Sequence, residues 1–185
     1  MYTLIGSLFL IIAFLFIYSI SGSSNYMYIF HTQIFYDFKI IIILLLFFGF
    51  SVKVPIIPLH IWLPEAHVEA PTIGSVILAG IILKLGFYVY LRLIIFLFND
   101  VYYIIMNLIF IIALYGLYIS SLSALAQLDV KKIIAYSSIS HMNFSLIGLF
   151  CKNFLAMFGS FFMMFGHAIV SSALFLCIGM LYDRY

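Results

Sequence analysis

The sequence predicts an all-α polytopic membrane protein of about six transmembrane helices, one of them broken. Three observations predict it. Of 185 residues, 67% are hydrophobic and 8% charged, with a mean hydropathy of +1.29, where soluble domains run at about 45–50% apolar and about 25% charged. The apolar residues form continuous runs long enough to cross a bilayer as helices, for which about 20 residues are needed. A β-barrel would show segments of about ten residues with alternating hydrophobicity. Finally, Pro55 and Pro58 interrupt one of the runs. In lipid the backbone must satisfy its own hydrogen bonds, so helices are the default, and two prolines three apart break one.

The runs are Tyr2–Ile20, Phe38–Leu63, Thr72–Phe98, Val101–Leu125, Ile133–Phe150 and Phe154–Leu181. The first lacks the basic start and small-residue cleavage site of a signal peptide, so it reads as a retained helix. Polar punctuation separates the runs: Ser21 to Asn25, the segment from Pro64 to Pro71 with its two glutamates and a histidine, Asn99-Asp100, Gln127 to Lys132, and Cys151-Lys152-Asn153. Lys131 and Lys132, beside Asp129, mark a helix end at the membrane surface. Orientation is not resolved by charge. Lys131, Lys132 and Arg184 on one side balance Lys39, Arg92 and Lys152 on the other, which leaves the positive-inside rule no bias to act on.

Composition also excludes functions. The net charge of +2, without a basic stripe, argues against nucleic acid as a partner. Cys151 and Cys177 lie in apolar context without metal or disulfide spacing and read as inert thiols. No GxGxxG stretch, flavin, quinone or iron–sulfur motif occurs, so no redox chemistry is expected of this chain. The bias toward Phe, Ile, Tyr and Leu is the pattern of an AT-rich coding genome, often an organelle's.

Two lysines lie where lipid is expected. Lys84 falls near the middle of the third run, too deep to snorkel. An ionisable group at the centre of a membrane helix costs about 2.5–3.5 kcal/mol on insertion scales, and a chain that keeps one usually turns it toward a partner or water. Lys53 sits directly before Pro55 and Pro58, where the broken helix would free carbonyls to hold an ammonium and water. The bland readings are a snorkelling lysine and a simple proline kink. Ala79, Gly80 and Gly86 flank Lys84 and allow close helix approach, either to bring a group on another helix to the lysine or only to pack.

His141 in the fifth run and His167 in the sixth each have serine neighbours. Histidine titrates near neutral pH and can relay protons; equally, each could simply hydrogen-bond a neighbouring helix. His60, Glu65, His67 and Glu69 surround a polar connector and read as interfacial, with a metal site as the rival, although their spacing is not that of a HExxH site.

The stretch from Lys53-Val54-Pro55 through Pro58-Leu59-His60-Ile61-Trp62-Leu63-Pro64-Glu65-Ala66-His67-Val68-Glu69-Ala70-Pro71 resembles the antiporter-like subunit 4 family of NADH:ubiquinone oxidoreductase, respiratory complex I. So do Gly74 to Gly80 with Leu83-Lys84-Leu85-Gly86, then Asp129 to Lys132 with Ala135 to Ser138 and His141-Met142-Asn143, and finally His167 to Ser172, Leu174 to Cys177 and Leu181 to Arg184. The blocks run in family order over residues 38–184, and the earlier residues match by hydropathy alone. The resemblance covers the family's sixth to eleventh helices, so residues 1–185 are expected to form a single transmembrane domain that is a fragment of a larger antiporter-like helix bundle.

The resemblance implies a proton path at the membrane midplane, with Lys53 as the broken-helix lysine, Lys84 as the central one, and His141 and His167 carrying the path onward. It implies an enzyme only in the sense of a subunit of proton-translocating NADH:ubiquinone reductase, in the mitochondrial inner membrane or another energy-coupling membrane. FMN, iron–sulfur clusters and ubiquinone would reside in other subunits. The implied partners are lipid, other membrane-arm subunits, and the chain or chains that supply the remaining helices. Those helices would include one bearing a glutamate for Lys53 and one bearing the glutamate or lysine that ends the path. The alternatives are an Mrp-type cation/proton antiporter fragment and a structural remnant that conducts nothing. The retention of both lysines argues against the remnant, because a scaffold would gain from leucine at each.

Overall fold

The computed structural model describes residues 1–151, 153–182 and 184. Lys152, assigned to a connector, and Asp183, part of the last motif block, lie outside the described residues. Among the described residues every regular element is helical: α1 (Tyr2–Ser21), α2 (Tyr26–His31), α3 (Tyr36–Lys53), α4 (Trp62–Glu69), α5 (Thr72–Ile77), a π-helical segment (Leu78–Ile82), α6 (Leu83–Val89), a second π-helical segment (Tyr90–Phe96), α7 (Tyr102–Leu125), α8 (Val130–Phe150) and α9 (Phe154–Tyr182). The elements from Thr72 to Phe96 form one continuous rod. Among the described residues, that rod, α1, α7, α8 and α9 are the five helices long and apolar enough to cross a membrane.

The expected second span is divided. Its helix, α3, ends at Lys53, the chain turns through residues 54–61, and helix resumes at Trp62. Pro55 cannot donate to the Ser51 carbonyl. The amide of Ile56 donates to it instead, at 3.2 Å. This shift leaves the Val52 carbonyl without its helical donor, and the indole N–H of Trp62 supplies one at 2.8 Å. The connector expected from Pro64 to Pro71 is therefore mostly helix. Pro64 sits in the first turn of α4, where the missing donor costs nothing. A further helix not foreseen in the sequence, α2, is capped by Asn25, whose side chain accepts from the amide of Met27 at 3.1 Å.

Packing explains the order of the helices. Helices α1 and α3 run antiparallel with glycines at their crossing. A Cβ on Gly6 would lie 2.9 Å from Val52 Cβ, and one on Gly49 would lie 2.5 Å from the Leu10 side chain. Close approach of this kind replaces the hydrophobic driving force that lipid removes. Helix α8 is the centre of the bundle and the most buried of the candidate spans. It packs against α7, α9 and α4. Tyr90 anchors the core where the rod meets α3 and α8. Its ring centroid lies 6.1, 6.0 and 5.9 Å from those of Phe47, Phe50 and Phe150, and its hydroxyl donates to the Phe47 carbonyl at 3.2 Å.

Candidate functional site

Lys84 lies on α6, midway between Thr72 and Phe96, and the two π-helical segments bracket it. Each π turn adds a residue to the helical turn and so rotates the helix beyond it; such turns are rare and gather at functional sites. The side chain of Lys84 reaches across to α9, where its Nζ lies 2.9 Å from Nδ1 of His167. It also donates to the Ala79 carbonyl in the first π segment. The ammonium is a donor only, so the ring nitrogen facing it accepts.

His167 continues the polar chain toward α8. Its ring centroid lies 5.6 Å from that of His141. Its own carbonyl accepts from Ser171 Oγ at 2.6 Å. Both histidines, with Ser137 and Ser138, line a cavity of about 260 Å³ between α8 and α9. On the other side of α9, Lys84 borders a second cavity of about 340 Å³ walled by apolar side chains. Three of the four residues expected on the proton path, Lys84, His167 and His141, thus stand in sequence from the central rod to α8, although Lys84 and His167 are 83 positions apart in the chain.

Lys53 is separate from this group. It ends α3 at the break, is exposed, and lies 5.9 Å from the Phe50 ring centroid. It makes no ion pair among the described residues, whose only two lie elsewhere, Lys39 with Asp100 at 3.0 Å and Lys132 with Asp129 at 3.5 Å. The break still meets the rod closely. A Cβ on Gly86, two residues past Lys84, would lie 2.6 Å from Val54 Cγ2.

The connector residues divide. Glu65 and Glu69 are exposed. His67 is fully buried within the protein, stacked on Phe175 of α9 at 4.3 Å with an interplanar angle of 11°. Neither of its ring nitrogens has a partner among the described residues. No sequence signal separated it from its exposed neighbours, because its burial depends on α4 folding back against α8 and α9. His60, within the break, faces Tyr136 of α8 with ring centroids 6.2 Å apart. Among the described residues, no group of three or more His, Cys, Asp or Glu side chains is placed to share a metal ion.

Known proteins resemble the chain in sequence and fold. The chain matches, over residues 1–185, the family described as NADH:quinone oxidoreductase/Mrp antiporter, transmembrane. It is 48% identical over 184 residues to NADH-ubiquinone oxidoreductase chain 4 of Acanthamoeba castellanii and 50% identical over 185 residues to that of Chondrus crispus. It covers all of its own length in both, but only 37% and 38% of theirs. Among solved structures, respiratory complex I from Thermus thermophilus with bound NADH contains a chain that superposes with a TM-score of 0.90 at 26% identity, over 98% of this chain and 39% of that one.

Proposed function

The chain belongs to the NADH:quinone oxidoreductase/Mrp antiporter transmembrane family, and on that basis we propose that it is the central stretch of a proton-translocating membrane-arm subunit of NADH:ubiquinone oxidoreductase. In this reading residues 1–185 act as one transmembrane unit within a longer antiporter-like bundle. The observation that carries it is the contact between Lys84 and His167. A lysine placed at the depth of greatest cost, facing a histidine and then a second histidine, is a row of groups that can each hold or release a proton. The ring nitrogen beside the ammonium is an acceptor already in place.

Lys53 enters the path from the break. Its partner would be a carboxylate on a helix outside these residues, since a charge left uncompensated in a membrane interior is costly. The chain's role in catalysis is then to couple proton movement to oxidoreduction carried out by FMN, iron–sulfur clusters and ubiquinone in other subunits. The eukaryotic relatives and the apolar helices assign the chain to the mitochondrial inner membrane.

An Mrp-type antiporter segment would share the fold. The relatives at 48% and 50% identity both carry the name of a respiratory subunit, which favours the redox-driven reading. Purification in mild detergent tests it: flavin and iron–sulfur subunits are expected to accompany the chain, and their absence from an otherwise intact, cation-exchanging assembly would overturn it.

A further inference from the structure

We infer that the hollow beneath α2, between the end of α1 and the end of the rod, binds one anionic phospholipid, with its phosphate on the Arg92 guanidinium and an acyl chain along Phe14, Ile17 and Leu93. The site requires only that the chain spans a membrane, and it shares no residue with the proton path.

Arg92 lies twenty residues beyond Thr72 in the rod, about 30 Å of helix at about 1.5 Å per residue. The hydrocarbon core is also about 30 Å thick, so a rod that enters it at Thr72 brings Arg92 out at the opposite headgroup level. The turns that follow α1 and the rod lie on this same side. Exposed aromatic side chains crowd the level, among them Tyr28, Phe30, Phe35 and Tyr36, as aromatic residues do at membrane interfaces.

Arg92 is exposed and pairs with no carboxylate among the described residues. Asp100, the acid that follows it in the chain, is held by Lys39 at 3.0 Å. Tyr26 of α2 fixes the arginine in place. The guanidinium carbon lies 4.3 Å from the tyrosine ring centroid, and the tyrosine hydroxyl donates to the Arg92 carbonyl at 3.2 Å. Stacking occupies the plane of the guanidinium and leaves the N–H groups on its edge free, and that fork matches a phosphate. At headgroup level the abundant anion is lipid phosphate. A zwitterionic headgroup brings its own cation to compete for that phosphate, whereas an anionic one leaves its charge to Arg92.

Tyr26 also lines a cavity of about 380 Å³. Its walls are graded. Phe14 and Ile17 of α1 and Leu93 of the rod are apolar, while Ser24 and Tyr26, in and after the turn that follows α1, carry hydroxyls. This is the order of a phospholipid, tail below and polar head above. A second cavity of about 410 Å³ shares Ile29 and Leu97 with the first and reaches Lys39 and Asn99. None of the six residues of α2 is buried, so that helix spans the hollows without filling them. Apolar walls with nothing against them forfeit dispersion contacts. A further helix, about 10–12 Å across with its side chains, would have to displace α2 to enter; a single file of methylenes would not. A merely snorkelling arginine would reach the same level without ordering a lipid in the cavity.

The test uses the assembled complex in vesicles of phosphatidylcholine and phosphatidylglycerol. One lipid or the other carries a diazirine on its acyl chain, at equal mole fraction of label. After irradiation, adducts on the peptides holding Ile17 and Leu93 are quantified by mass spectrometry. Phosphatidylglycerol is expected to label them about fivefold more than phosphatidylcholine, the effect of about one basic residue at an anionic lipid surface. Arg92→Gln is expected to abolish that preference and to leave adducts elsewhere on the complex unchanged. Equal labelling by the two lipids in wild type overturns the inference, as does a preference that survives Arg92→Gln. Labelling by neither lipid also overturns it, because protein then covers the cavity. If Arg92→Gln does not assemble, wild type at high ionic strength replaces it: the preference should fall as salt screens the arginine, and a preference indifferent to salt overturns the assignment. No pumping measurement enters the readout, so failure here is distinct from failure of the proton-path reading.

Discussion

The indole N–H of Trp62 donates to the carbonyl of Val52 at 2.8 Å, closing the hydrogen-bond gap that Pro55 opens in the second membrane segment. The bond ties the start of α4 to the end of α3 across the break. Trp62→Phe keeps the aromatic body and removes only the donor. A carbonyl left unpaired at this depth costs about 1–3 kcal/mol. The expected outcome is faster amide hydrogen exchange in residues 52–63 of the assembled protein, with exchange in α7 unchanged. Equal exchange in variant and wild type would show that the indole does not hold the break.

Gly86 is the point where the break touches the rod. A methyl group there would lie 2.6 Å from Val54 Cγ2, closer than real contacts allow. Gly86→Ala is expected to destabilise by about 1–3 kcal/mol, the usual cost of overpacking. Because the clash is with one side-chain tip, Val54→Ala in the same chain should recover most of the loss. A double-mutant cycle read by thermal inactivation of the assembled complex measures the coupling. Additive effects would place the constraint on Gly86 elsewhere.

These two contacts mark the limit of what the sequence made legible. Continuous apolar runs located the spans because a bilayer demands about 20 residues of helix. The pair Pro55 and Pro58 located the break because proline removes a donor wherever it falls. Depth alone singled out Lys84. The features that escaped depend on partners distant in the chain. The polar segment after Pro64 read as a loop, yet it folds onto α8 and α9 as α4. The π turns around Lys84 leave no pattern in an apolar run. The meeting of Lys84 with His167 joins residues that only the crossing of the rod and α9 brings together. His141 and His167 each left two readings open, a proton relay or a contact between helices, and what the sequence could not show is that their rings lie 5.6 Å apart.

The surroundings of His67 left no trace in the sequence. It is fully buried on the face of Phe175 with both nitrogens lacking a partner among the described residues. Were its role only to pack α4 on α9, His67→Phe would keep the stack and remove two unsatisfied polar atoms. Replacing such a group by an apolar one of similar shape is near neutral or stabilising. The expected outcome is a complex that assembles in normal amount with a thermal midpoint equal to or above that of wild type. A marked drop in assembly would show that the ring nitrogens do more than pack α4 on α9.

Lys84 decides the proton-path reading. Its Nζ sits against Nδ1 of His167 at 2.9 Å, with His141 next in line. Lys84→Met preserves length and apolarity while removing the proton carrier. A positioned proton-transfer group contributes about a hundredfold or more to its step, so pumping should fall by about that factor. Lys84→Arg restores the charge and the donors to His167, but the guanidinium does not release its proton. If Lys84 moves protons, arginine fails to rescue. If it merely pins the rod to α9 by charge and hydrogen bond, arginine restores pumping. The measurement is acidification by reconstituted vesicles driven by NADH oxidation, with assembly of each variant checked by native gel. Full pumping from a well-assembled Lys84→Met complex would remove this residue from the path. Recovery with arginine would assign it to packing, and loss in both variants is the outcome that the geometry at His167 leads one to expect.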